Sequence, residues 1–130
     1  MRELTSHKVP GLNEALRIVA VDEQGPGGAN HHYEIHYERR NAGPAISHND
    51  DVVIVPIHFQ EGPIQEAGVN GLSNEALLAL VEDRLQGFQA GEFACRENAI
   101  ALTKVQEAMM WLQKRTRDRI ARGVEGTNQK

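Results

Sequence analysis

From Phe93 to Gly123 the chain runs without a proline or an internal glycine. That stretch constrains the fold most, because long uninterrupted helices need such runs. Leu102, Val105, Met109, Leu112 and Ile120 fall at three-and-four spacing, which places them on one side of a helix. Gly123 supplies the left-handed residue that closes many helices. Some 28 residues predict a rod of roughly 40 Å.

The charge on this rod is uneven. Residues 96–122 hold seven Lys/Arg against three Asp/Glu, in a chain whose net charge is −4. Basic residues at a helix C-terminus complement its dipole, so a capped, solvated end is one reading. The other is an anion site. Arg115 and Arg119 are one turn apart and share a face, and two guanidinium forks suit a phosphate or pyrophosphate.

A chain of 130 residues predicts one domain, here 1–130, with a modest core. A pI near 5.8 argues against a protein that coats long nucleic acid, although a local patch can still hold a small anion. The single cysteine, Cys95, excludes an internal disulfide. It fits a reducing compartment and is expected in the core near a helix start. No apolar run approaches the ~20 residues of a bilayer span, and Met1–Thr5 does not open a signal peptide. A soluble, cytoplasmic protein is expected, with no membrane partner.

Upstream of the rod the pattern is that of strands. Residues 1–11 read as a polar lead-in. Ala15–Val21 alternate as a strand, and Gly25–Gly28 break it. In 32–39, Tyr33, Ile35 and Tyr37 point one way and His32, Glu34, His36 and Glu38 the other. Asn41–Asp51 form a loop. Val52–Phe59 is the most hydrophobic strand, and its Pro56 belongs at an edge or bulge. Ser73 caps a helix over Asn74–Gln89, with Leu77, Leu78, Leu80, Val81, Leu85 and Phe88 as its apolar side. A short turn at Ala90–Gly91 makes the two helices antiparallel neighbours. The expected tail folds back over Val124–Thr127 and is loose from Asn128.

The predicted fold class is therefore α+β. A small N-terminal antiparallel sheet, about 12–66, precedes a long antiparallel helical hairpin, about 73–123. One hairpin cannot cover its own apolar faces, with Met109, Met110 and Trp111 adjacent on one rod, so self-association is expected.

Catalytic signals are weak. His32, Glu34, His36 and Glu38, with His31 and His58, hold residue types that bind metals. They also decorate the wet face of a sheet, and the sequence sets no Cys or Asp partner beside them, so no metal is assigned. Gly25–Gly28 lack the Lys and the helix of a phosphate loop. Ser47 and His48 are adjacent in a polar loop, which is not a triad. No catalytic residue and no cofactor is assigned. Phe88, at the end of the first helix, is either a hydrophobic plug or a platform for a purine. Asn98 offers donors and an acceptor that can read a base edge or a ribose.

The run Phe59–Ile64, Gly68–Gly71, Leu77–Gln89, Phe93–Ala99 and Arg115–Thr127 closely resembles the Thoeris anti-defence proteins of phages and prophages. These share a helical-hairpin domain with the shorter anti-CBASS cyclic-oligonucleotide sponges. Ala29–His31 leading into Tyr33–Ile35 resembles the β region that the Thoeris members carry. The resemblance implies a non-enzymatic protein that sequesters cyclic nucleotide immune signals without cleaving them. Those signals are glyco-cyclic ADP-ribose isomers and, in some members, cyclic di- or trinucleotides. It implies dimers, often hexamers, and ligand contacts at Phe88, Asn98, Arg115 and Arg119. A second pocket for cyclic trinucleotides is implied where dimers meet, with Arg84, Thr103 and Lys104 as candidates. The alternative is a metal-dependent nucleotide hydrolase using His32, His36 or His58.

Asn98 and Arg115 sit about 25 Å apart along one rod, beyond the reach of one cyclic ADP-ribose. If both touch one ligand, the turn of one hairpin must meet the basic helix end of another.

Overall fold

The computed structural model describes residues 1–39 and 51–130. Most of the loop expected at 41–51, including Ser47 and His48, lies outside them. The chain falls into two compact units, Met1–Glu61 and Gly62–Lys130, which divide at the Gly62–Pro63 break.

The first unit is a four-stranded antiparallel sheet in the order β1-β2-β3-β4. The strands are β1 (Arg2–Leu4), β2 (Arg17–Ala20), β3 (His32–Arg39) and β4 (Asp51–His58). β1 corrects the sequence reading, which expects three strands and a lead-in. Three residues are too few to show an alternation; β1 exists through its pairing with β2, Glu3 opposite Val19. The buried centre is Val19 and Ala20, at 2% and 0% exposure. The inside–outside division expected along β3 is blurred, since all of His32–Tyr37 are half-buried.

β4 is an edge strand, where a proline belongs. The Phe59 N–H donates to the His31 carbonyl at 2.7 Å, and β3 and β4 pair without a bulge from Asp51 to His58. Amides alternate in direction along a strand. The ring nitrogen of Pro56 therefore faces away from β3, and no ladder bond is lost there.

The second unit contains α1 (Ile64–Ala67), α2 (Asn74–Gln89) and α3 (Arg96–Ala121). Ser73 caps α2, its Oγ accepting from the Ala76 N–H at 3.1 Å. α2 and α3 pack together as the expected hairpin. The covered seam of α3 is Asn98, Leu102, Val105, Met109, Leu112, Thr116 and Arg119, in alternating steps of four and three. That is the heptad pattern of a coiled-coil pair. The seam corrects one expectation: Ile120 is 61% exposed and Arg119 takes the covered position. α3 begins at Arg96, next to the helix start expected near Cys95, with Phe93 in the turn and 70% exposed.

Candidate functional site at the arginine end of the hairpin

Gly123, at φ 74°, ends α3 by letting the chain reverse. The Val124 N–H then returns to the Arg119 carbonyl and the Gly123 N–H to that of Ile120, each at 3.0 Å. This reversal brings the tail back over Arg119. The Arg119 guanidinium donates to Glu125 Oε2, Val124 O and Thr127 O, each at 3.0 Å, and to the Gln129 carbonyl. Gln65 joins the same knot: its N–H donates to Gly126 O and its side chain to Glu125 O, both at 3.0 Å. Asn128, expected to be loose, donates to Glu66 Oε2 at 3.0 Å. The tail is thus fastened at both faces, and Arg119 is its central clamp.

Beside the clamp lies a groove of about 950 Å³, lined by Trp111, Lys114, Arg115, Asp118, Arg119, Ala121, Arg122 and Lys130. This size suits a small organic ligand. Lys114 pairs with Asp118 at 2.6 Å, and Arg119 pairs with Glu125. Arg122 donates to the main-chain oxygen of Lys130, whereas the Arg115 and Lys130 side chains are left without a carboxylate among the described residues, so the groove is electropositive. Trp111, 61% exposed, adds an aromatic face to these cations. Sequence reading missed Trp111 as a site residue and saw only an apolar cluster. A tryptophan one turn before Arg115 on the same helix was the available signal.

Phe88 and Asn98 are at the other end of the hairpin, in the last turn of α2 and the first turn of α3. Phe88 is half-buried, and the Arg84 guanidinium stands 5.0 Å over its ring. Asn98 holds the first seam position of α3. Its N–H is accepted by Cys95 Sγ at 3.4 Å. Cys95 is therefore an exposed helix cap, which corrects the expectation of a core residue. The structure thus sets Arg115 and Arg119 on one groove, and places Asn98 about 25 Å from Arg115 along α3, with Phe88 near Asn98's end of the hairpin.

The second-pocket candidates each have a local partner. Arg84 lies over Phe88, Thr103 Oγ1 donates to the Ala99 carbonyl at 3.1 Å, and Lys104 pairs with Glu107 at 3.8 Å. All three are exposed. In the first unit, His36 pairs with Glu34 at 2.9 Å and His32 with Glu61 at 3.0 Å. These two histidines therefore do not share one cluster. Among the described residues no helix is long and apolar enough to cross a membrane.

Comparison with known proteins accords with this architecture. The family model for the Acb2/Tad1 hairpin domain matches residues 53–117, from β4 through most of α3. Over 98 residues, 75% of this chain, the sequence is 50% identical to a protein named Thoeris anti-defense 1 from Bacillus phage SBSphiJ7, and the match covers 69% of that protein. The chain belongs to the Acb2/Tad1 hairpin-domain family.

Proposed function

We propose that this protein binds and sequesters a cyclic nucleotide immune signal of bacterial anti-phage defence, and does not cleave it. Glyco-cyclic ADP-ribose of Thoeris is the first candidate, with CBASS cyclic di- or trinucleotides as further ones. The observation that carries this reading is the groove at the end of α3. It combines an exposed indole, Trp111, with an unpaired guanidinium, Arg115. A nucleotide needs both, an aromatic surface for its base and a fork for its phosphates. The name of the relative from phage SBSphiJ7 supports the same reading.

In this reading Arg115 faces the pyrophosphate directly. Arg119, its charge compensated by Glu125, keeps the tail in place beside the groove. Phe88 and Asn98 complete the pocket from a second copy, because they stand at the opposite end of the hairpin from Arg115 and do not reach the same ligand. Leu80, Met110 and Ile120, at 68%, 57% and 61% exposure, supply apolar surface for that association. The assembly is a dimer, extending to a hexamer where dimers pair.

The test is a recovery experiment. Purified protein is mixed with the signal, freed of unbound nucleotide, then heated, and the released material is identified by mass spectrometry. Intact cyclic signal is expected, in stoichiometric amount. Linear or hydrolysed nucleotide would instead establish a nucleotide hydrolase.

A further inference from the structure

The geometry points to a divalent transition-metal site at one end of the sheet, formed by Asp22, His32 and Glu61 with His58 alongside. One ligand atom from each of Asp22, His32 and Glu61 lies within 4.8 Å of the others. The closest approach is between His32 Nε2 and Glu61 Oε2, at 3.0 Å. His58 faces His32 directly across the β3–β4 ladder, with ring centroids 4.4 Å apart. The cluster offers two carboxylates and one imidazole, with the His58 ring beside it, and three protein ligands plus one solvent position suit four-coordinate zinc.

Sequence spacing concealed this cluster. Asp22 follows β2, His32 opens β3, His58 closes β4 and Glu61 lies beyond it. Only the antiparallel pairing brings them to the same end. From the sequence no metal is assigned to β3 partly because no aspartate stands beside it, and the fold supplies one.

Asp22 is also held in place before any ion arrives. Its carboxylate accepts the His31 N–H at 3.0 Å and the Asn30 amide at 3.1 Å. Asn30, 9% exposed, is itself fixed by Arg2, which donates to it at 2.7 Å. Such outer contacts orient metal ligands. A simple ion pair would need one carboxylate beside His32, and here there are two. Two carboxylates so close repel each other, and one divalent cation compensates both. Imidazole donors favour Zn²⁺ and its neighbours over Mg²⁺ or Ca²⁺. His32 and Glu61 side chains are 31% and 42% exposed, so an ion can enter from solvent. A bound ion would fasten the segments after β2 and β4 to the start of β3. This site is independent of the nucleotide groove.

The experiment uses the untagged full chain, stripped with chelator and titrated with Zn²⁺ by calorimetry, with Co²⁺ absorption as a second readout. Saturation at one ion per chain and a raised Tm are expected. His32→Ala and Asp22→Asn should each weaken Zn²⁺ binding by about tenfold or more. Circular dichroism of both variants without metal checks that they remain folded. His36→Ala, which removes a histidine paired with Glu34, should bind like the parent. No Zn²⁺ binding by the folded parent would overturn the site, as would unchanged affinity in both folded variants. Mg²⁺ binding as tight as Zn²⁺ would also overturn it, since that marks carboxylates acting without the imidazoles.

Discussion

Arg115 and Arg119 lie one helical turn apart on α3, yet the tail engages only one of them. Arg119 is 8% exposed and holds Glu125, Val124 and Thr127. Arg115 is exposed and makes no ion pair or hydrogen bond among the described residues. Two arginines that look equivalent in sequence should therefore respond differently to removal. Arg119→Ala leaves a carboxylate and backbone carbonyls without their donor, and should destabilise the second unit by about 1–3 kcal/mol. Arg115→Ala should leave stability within about 0.5 kcal/mol of the parent and weaken nucleotide binding at least tenfold. Denaturant melts and calorimetry on both variants separate the roles. Equal loss of stability in the two would contradict the division.

The aromatic contacts make a second comparison. Trp111→Ala and Phe88→Ala should each cost about 1–3 kcal/mol of nucleotide affinity, the worth of one stacked base. Arg84→Ala removes only the cation over Phe88, worth about 0.5–1 kcal/mol at an exposed site, and should change affinity little. Competition binding reads all three. An Arg84→Ala loss as large as that of Phe88→Ala would make the guanidinium, not the ring, the contact.

Association is tested on the outer face of the hairpin. Leu80 and Met110 are 68% and 57% exposed. A lysine at either position sets a charge in any apolar interface formed there. Light scattering should show a dimer or larger species for the parent, and a shift toward monomer for Leu80→Lys and Met110→Lys. A parent that is monomeric at micromolar concentration removes the shared pocket.

The tail offers a stability test. Gly126 has φ 80°, and a Cβ there would sit 2.9 Å from Gln65 Cγ. Gly126→Ala should cost about 1–2 kcal/mol, from the left-handed backbone alone. Chemical denaturation of the full chain measures it, and an unchanged midpoint would show that the tail adapts freely.

Asp22 supplies a prediction in pH. Burial pushes its carboxyl up, but hydrogen bonds from the His31 N–H and the Asn30 amide outweigh that and hold it below the ordinary 3.8. The folded carboxyl is thus the stronger acid. Its contribution to stability is complete above the ordinary value and is lost as pH falls through the lowered one. A carboxyl NMR titration should find the Asp22 midpoint below 3.8. A midpoint above it would mean that the contacts to His31 and Asn30 do not persist in solution.

Local signals in the sequence were legible where the physics is local. The bounds of α2 follow from the Ser73 cap and a regular apolar stripe, and Asn74–Gln89 is where the helix lies. β3 and β4 announce themselves by alternation and by β-branched residues. What stayed hidden was set by distance along the chain. β1 is a strand only because β2 is beside it. Asp22 meets Glu61 only once the sheet has formed. The reversal at Gly123 turns Arg119 toward the tail. Ile120 and Arg119 differ by one residue, and an apolar pattern assigns the covered place to the isoleucine. The buried guanidinium wins because four acceptors converge on it.

The outward nitrogen of Pro56 has a consequence for the fate of this protein at high concentration. β4 carries Val52, Ile54 and Val55 on an open margin, at 65%, 51% and 37% exposure, a composition that invites fibril growth by strand addition. A strand docking there would find one rung with no hydrogen to give. The imino acid acts as a gatekeeper against runaway polymerisation through this edge.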